Sequence, residues 1–434
     1  MPARFPSFRL RWALRAWGGL WLFGLPLVLI YLYRRGRRDA DYRRWLAERF
    51  GHYGTRLPGA GFSGSVWGHA ESLGELRSAV PLIGALLGQG ERVVITHFTP
   101  AGRRESTRVF ADEIAAGKVR VVWVPFELSL CFTGFFRTFS PKYGLVMEIE
   151  IWPRMIMAAR GAGVPLLMCN AQYPSKSYAK DRQTGLRAQV MQGFAGALVK
   201  SDIQAQRFAS VGVPRIEVTG ELRFDQPIPA AQLAAGRALR PARATITIAS
   251  AVEGEDAGYI QTILALRKTG AAPLSIYVPR KPERFDEVAD MLRAAGLRVA
   301  RRSEVLRPDL SGAIPDDIDV LLGDSLGEMY FYLSLADRVV VGGGFTPRGA
   351  HNIIEPLALK KPVLVGPETW TIEYPFVEAQ AAGVARSVAG FAALTRALET
   401  PQDPSPAQID AFFAAHTGAT ERTLAAIARL LTSR

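Results

Sequence analysis

The stretch SVWGHAESLGELRSAVPLIGALLGQGERVVIT, residues 65–96, places two short apolar runs, SVWGH (65–69) and RVVIT (92–96), on either side of a longer helical pattern. Val/Ile-rich runs without polar alternation predict strands buried on both faces, the habit of parallel sheets. Strand, helix and parallel strand make one βαβ unit, and the rhythm continues outward. VRVVWVP (119–125), GLVMEI (144–149), VPLLMC (164–169), GALVK (196–200) and RIEVTG (215–220) complete a first series. After DQPIPAAQLAAGRALRPAR (225–243), with its three prolines, a second series runs through ATITIAS (244–250), LSIYVP (274–279), LRVARR (297–302), IDVLLG (318–323), RVVVGG (338–343) and KPVLVG (361–366). The expected class is α/β, with two doubly wound Rossmann-like domains facing a cleft and ligands at the carboxyl ends of the strands. The expected boundaries are a membrane anchor with a basic flank at 1–50, a first domain at 51–224, a linker at 225–243, a second domain at 244–405 and a helical segment at 406–434.

A length of 434 residues fits two such domains, and 48% apolar with 21% charged residues describes a folded chain. The net charge is +13, and the first 49 residues alone hold eleven Arg against three acids. Nucleic-acid binding would spread Lys and Arg over a folded face. Here the excess flanks the uncharged AWGGLWLFGLPLVLIYLY (16–33), which points to an anionic membrane surface. The segment is at the short end for a spanning helix, and YLYRRGRR follows it in place of a cleavage site. The reading is an uncleaved anchor, spanning or lying in the interface, with the body in the cytoplasm. Cys131 and Cys169 read as buried free thiols, and the five histidines show no metal-ligand spacing.

ESLGEL (71–76) and DSLGEM (324–329) repeat one phrase, each after a strand and before a helical pattern. Ser-x-x-Glu is the capping box, and Asn352-x-x-Glu355 has the same form. All three predict helix starts, whose free N–H groups favour anions. A helix N-terminus is expected to hold the pKa of Glu75 down.

Taken together, YRRWLAERFG (42–51), HAESLGE (69–75), THFTPAG (96–102), PFEL (125–128), MEIEIWP (147–153), NAQYPSKS (170–177), VTGELRFD (218–225), VPRKPERF (278–285), DSLGEMYFYLSLAD (324–337), VGGG (341–344) and HNIIEPLALKKPVLVGP (351–367) resemble the bacterial 3-deoxy-D-manno-octulosonic acid (Kdo) transferases. The resemblance implies a GT-B glycosyltransferase that is metal-independent and cofactor-free and inverts the anomeric centre. Its donor would be CMP-Kdo, its acceptor a lipid A precursor, and its place the inner membrane. It implies Glu75 as general base, with capping as the alternative role. Glu150 is implied as a second catalytic acid, since strand alternation would turn Glu148 and Glu150 to opposite faces. Arg223, Ser250, Arg280, Leu326, Gly327, Glu328, Gly343, Asn352 and Glu355 are implied as nucleotide-sugar contacts, Ser325 as a cap, and the segment from 407 as a crossing back to the first domain. DID (317–319) opens a strand and reads as solvated strand entry, not a metal motif.

Departures from the family pattern stand at Gln172 (usually Arg), Arg223 (Lys), Ala251 and Val252 (Thr-His), Lys281 (His) and Glu368 (His). They leave open a GT-B enzyme using another nucleotide sugar or acceptor, a sugar-nucleotide epimerase, or an inactive membrane-bound partner protein.

Overall fold

The computed structural model describes residues 5–54, 61–270 and 272–432, without the side chains of 182–184; Arg4 of the basic flank falls outside them. The chain forms two units, one built from Met1–Gln226 with Gly418–Arg434, the other from Pro227–Thr417.

In the first unit β1 (Val66–His69), β2 (Val93–His97), β3 (Val119–Trp123), β4 (Tyr143–Met147), β5 (Leu166–Ala171), β6 (Gly196–Val199) and β7 (Ile216–Val218) form a sheet in the order 3-2-1-4-5-6-7. Every pairing is parallel. The order reverses between β1 and β4, which opens a crevice at their carboxyl ends. The helices of this unit include α1 (Phe8–Arg35), α2 (Leu73–Gly88) and α3 (Pro153–Gly161). On α2, Leu76, Ala79, Leu82, Ile83 and Leu86 are buried at helical spacing, so the helix seals one face of the sheet. Pro81 lies inside α2 and leaves the Arg77 carbonyl without its helical donor. The Gln226 side-chain amide donates to that oxygen at 2.5 Å.

The second unit holds β8 (Thr245–Ala251), β9 (Leu274–Pro279), β10 (Val299–Arg301), β11 (Val320–Leu322), β12 (Arg338–Val341), β13 (Val363–Val365) and β14 (Ala385–Ser387). Their order is 10-11-9-8-12-13-14, again all parallel, with its crevice between β8 and β12. The three-residue edge strand β14 has too little apolar sequence to announce itself. Residues 225–243, expected as a linker, contain α4 (Ala230–Ala238), which packs on α5 (Met329–Leu335); Gln232 accepts from the Phe331 N–H at 3.1 Å. Beyond α6 (Ile354–Ala358), the C-terminal segment read as one helix is two. Gly418, at φ +80°, separates α7 (Pro406–His416), in the second unit, from α8 (Ala419–Thr432), in the first. Asp225 accepts from the N–H groups of Gly418 and Thr420 at 2.7 and 2.6 Å, and Ala426, Ile427 and Leu430 join the core beside α2.

Three sequence readings need correction. Arg49 of the basic flank is buried, stacked 4.2 Å from the Trp123 ring and donating to the Phe98 carbonyl, so it cannot reach a membrane. Glu48 beside it is buried too, pairing with Arg103 at 2.6 Å; residues from 46 onward therefore belong to the first unit's fold. Asp319 of DID is buried and holds Arg298 at 3.0 Å instead of facing solvent. Cys131 and Cys169 are buried and free, as read.

The loops after β12 and β13 touch through glycine. A Cβ on Gly366 would lie 2.3 Å from the Gly344 carbonyl carbon, and one on Gly344 would lie 2.7 Å from the Gly366 nitrogen. Because backbone cannot give way as a side-chain tip can, Gly366→Ala is expected to destabilise the chain by about 1–3 kcal/mol in urea unfolding.

Candidate active site

At the β1/β4 crevice the first Ser-Leu-Gly-Glu copy starts a helix but closes only half of the expected capping box, because Glu75 reaches past Ser72 to the Glu71 N–H. Ser72 is the N-cap of α2, its hydroxyl accepting the Glu75 N–H at 3.4 Å. The Glu75 carboxylate turns back to accept from the Glu71 N–H at 2.6 Å (Oε2) and the Ser72 hydroxyl at 3.0 Å (Oε1). A carboxylate has about four lone-pair directions, so each oxygen keeps one for another donor. Glu150 arrives from the turn after β4. Strand alternation does not apply to it, because β4 ends at Met147 and Glu148 sits at φ +56°.

Oxygens of Glu71, Glu75 and Glu150 all lie within 4.8 Å of one another, a spacing that a cation could bridge, and Glu71 and Glu150 are hydrogen-bonded. The Trp152 indole donates to Glu150 at 3.0 Å. His69, fully buried and packed edge-on against Trp152, gives one ring nitrogen to Thr96 at 2.9 Å and leaves Nε2 without a partner. Burial pushes His69 down to about 4, so the ring is neutral.

The electrostatics reverse one expectation. Burial, then the charges of Glu150 and Glu148, push Glu75 up to about 7, against the Glu71 N–H and Ser72 bonds that pull it down. Helix-terminus stabilisation loses to desolvation and like charge. Glu71 is raised further, to about 8, by burial and by its hydrogen bond to and charge of Glu150.

A cationic half adjoins the acids. Arg223 meets Glu148 at 3.1 Å. Lys200, buried at the end of β6, pairs with Glu221 at 2.7 Å, lies 3.7 Å from Glu148 and donates to Gln172 at 3.2 Å. The positive charge that the family pattern puts at residue 172 is thus supplied from the adjacent strand. Burial would raise Glu221, but Lys200 and Arg223 hold it down to about 2.

In the second unit the β8/β12 crevice gathers most of the remaining candidates. Ser250, at φ +59°, lies in the irregular end of β8. Buried Glu255 accepts from the N–H groups of Val252 (3.0 Å), Gly343 (2.8 Å) and Phe345 (3.0 Å), pinning the glycine turn. Arg280 follows β9, its N–H on the Ala251 carbonyl at 2.8 Å and its side chain exposed. His351 donates its N–H to the Gly342 carbonyl at 3.0 Å and is lowered to about 4 by burial and by Arg280. Lys281 and Glu368 lie in the loops after β9 and β13.

The two other expected capping boxes do not form. Gly327 takes φ +81° and Glu328 goes to Arg302 at 2.6 Å, so Leu326–Glu328 is an open loop and α5 starts only at Met329. Ser325 accordingly caps nothing and bonds Glu328 and Tyr332. Asn352 accepts from the Ile354 N–H at 3.0 Å, one residue short of Glu355, which sits in the first turn of α6 beside half-buried Tyr330.

A family model for 3-deoxy-D-manno-octulosonic-acid transferase (kdotransferase) matches residues 44–226. A 3-deoxy-D-manno-octulosonic acid transferase of Bordetella pertussis is 41% identical over 418 residues, covering 93% of this chain and 96% of that one. This chain belongs to the Kdo transferase family. A second transferase, from Haemophilus influenzae, is 31% identical over 388 residues, 86% of this chain and 87% of that one. Among solved structures, a glycosyltransferase of Rickettsia africae (TM-score 0.59, 10% identity, 86% of this chain and all of that one) shares the fold. So does a UDP-GlcNAc 2-epimerase of Methanocaldococcus jannaschii (TM-score 0.57, 11% identity, 85% of this chain and all of that one). The transferase is therefore a glycosyltransferase of GT-B fold. Sequence reasoning missed Glu71, Lys200 and Glu255; the only signal for the first two was an ionisable residue at the carboxyl end of an apolar run.

Removing Lys200 takes the ion-pair partner from buried Glu221, whereas Glu148 keeps Arg223. Lys200→Met is expected to cost about 3–5 kcal/mol at pH 7. Glu221, depressed in the folded state, contributes stability that is complete above the ordinary carboxylate pKa and lost as pH falls through about 2. Urea titrations from pH 7 to 3 should show that dependence weakened in Lys200→Met.

Proposed function

We propose that the transferase moves Kdo from CMP-Kdo to a hydroxyl of a lipid A precursor, with inversion, as a step of lipopolysaccharide synthesis. The reading is carried by Glu75, a half-protonated acid near neutral pH at the first unit's switch point, with lone pairs to spare. Its carboxylate takes the acceptor hydroxyl proton as the new bond to the anomeric carbon forms. The bond from that carbon to the CMP phosphate breaks, and its electron pair leaves with CMP. Glu71, neutral below about pH 8, donates to Glu150 and keeps a second full charge from crowding the base. Lys200 and Arg223 offset Glu148 and Glu221 beside it. In the second unit, Ser250, Arg280, the Leu326–Glu328 loop, Gly343, Asn352 and Glu355 would hold the nucleotide sugar. Incubating the full chain with CMP-Kdo and a tetraacyl precursor should add Kdo mass to the lipid. Glu75→Gln should abolish product while leaving the melting temperature nearly unchanged, and the wild-type rate should rise with pH through about 7. Normal turnover by Glu75→Gln would remove the assignment.

The transferase is also assigned to the cytoplasmic face of the inner membrane. Helix α1 has 28 residues and mean hydropathy 1.6 over its apolar window, of which only 6% is buried, unlike a core helix. One side packs lengthwise on the first unit. Ser7 bonds Gln189 (2.6 Å), Trp17 donates to buried Glu127 (2.9 Å), and Leu32 packs with Phe126 and Cys131. The other side exposes Phe8, Trp12, Leu20, Phe23 and Leu27. Arg154 donates to the Leu14 carbonyl of α1 at 2.5 Å, so a perpendicular span would carry Glu127 and Arg154 into hydrocarbon along with the helix, and α1 is read as lying in the interface. A peptide tag at the N-terminus should be open to protease in inverted membrane vesicles only; cleavage in right-side-out vesicles would mean a spanning helix.

A further inference from the structure

At the end of α1 the chain turns back on itself and encloses a cavity of about 600 Å³. Its floor is apolar, formed by Leu29, Leu32 and Leu46, and its rim carries Arg34, Arg37 and Arg43. Tyr33 stands between two of these cations: the Arg37 and Arg43 guanidinium carbons lie 5.7 and 5.4 Å from its ring centre. Gly36 makes the arrangement possible, because a Cβ there would lie 2.4 Å from Arg43 Cγ. Of the cations around them, Arg38 does not line the cavity, and three others are satisfied within the protein. Arg44 pairs with Asp41 at 3.0 Å, Arg104 with Asp39 and Asp41 at 2.9 and 2.8 Å, and Arg35 bonds the Tyr42 hydroxyl at 3.0 Å. Among the described residues, Arg34, Arg37 and Arg43 make no ion pair with any carboxylate. A helix C-terminus accounts for Arg34, but not for Arg37 and Arg43 gathered on one ring.

We propose that this cavity is a binding site for one anionic phospholipid of the bilayer, the phosphate held by Arg34, Arg37 and Arg43 and the start of an acyl chain lying on the leucine floor. Like charges brought together over an apolar surface are stabilised by a ligand that is itself anionic at one end and apolar at the other. Ile30, exposed on the helix, also lines the cavity, so a lipid would have an apolar edge at which to enter from the membrane. A bound lipid would fix the depth and rotation of α1 in the interface. The site rests on the in-plane reading of α1.

The test is partitioning of the full chain onto vesicles of phosphatidylcholine alone or with phosphatidylglycerol. It compares wild type, Arg34→Gln/Arg37→Gln/Arg43→Gln and the control Arg9→Gln/Arg11→Gln/Arg15→Gln, which removes the same charge from the other end of the helix. With about fivefold in affinity as the order of one basic residue's effect at an anionic surface, the cavity variant should lose at least about fivefold more of the phosphatidylglycerol preference than the control. Native mass spectrometry should show one retained phosphatidylglycerol on wild type and the control, and none on the cavity variant. Equal losses in the two variants would reduce the site to diffuse surface charge and overturn the proposal, as would displacement of the lipid by inorganic phosphate. Failure of wild type to bind either vesicle would instead strike the in-plane reading of α1.

Discussion

Three carboxyl groups crowd the carboxyl ends of β1 and β4, where burial and mutual repulsion make it costly to ionise them all near neutrality. The switch in strand order sets this constraint, because it delivers Glu71 and Glu75 from one strand end and Glu150 from its neighbour. The chain answers in two ways. The highest-pKa acid keeps its proton and donates it to a neighbour, and a buried lysine with an arginine neutralises the acids on the far side. What is left is one carboxylate poised near neutrality. The helix terminus beneath it fixes where it stands but does not set its basicity.

Most of the fold was legible because parallel strands buried on both faces must be almost continuously apolar, and thirteen of the fourteen strands among the described residues were read from such runs. The exception, β14, is an edge of three residues that need not be apolar on both sides. The crevices were legible too, since the motifs follow strands. Local conformation was less so. ESLGEL and DSLGEM are nearly identical, yet only the first caps a helix. In the second, the same glycine takes φ +81° and the same glutamate is drawn off by an arginine 26 residues upstream. A four-residue pattern does not contain that partner. Lys200 was hidden for a related reason: its role depends on Gln172 and Glu221, which sequence distance conceals and strand adjacency reveals.

The basic N-terminal region shows how one composition serves two ends. Arg49 is consumed by packing against Trp123 and Phe98, deep in the first unit. Arg34, Arg37 and Arg43 remain without acidic partners beside an apolar helix. Counting arginines gave the sign of the surface. Burial and pairing decided which of them are free to act on it.

The polypeptide enters the second unit after Gln226 and leaves it at Thr417, so the second unit is an insertion within the first. During translation, the first unit waits for the whole insertion to leave the ribosome before α8 can supply Ala426, Ile427 and Leu430 to the core beneath the helix bearing Glu75. The nascent first unit thus keeps an unfinished core beneath Glu75, exposed to aggregation, until α8 is made. A chain cut short just after Thr417 would carry a second unit that is whole and a first that is not.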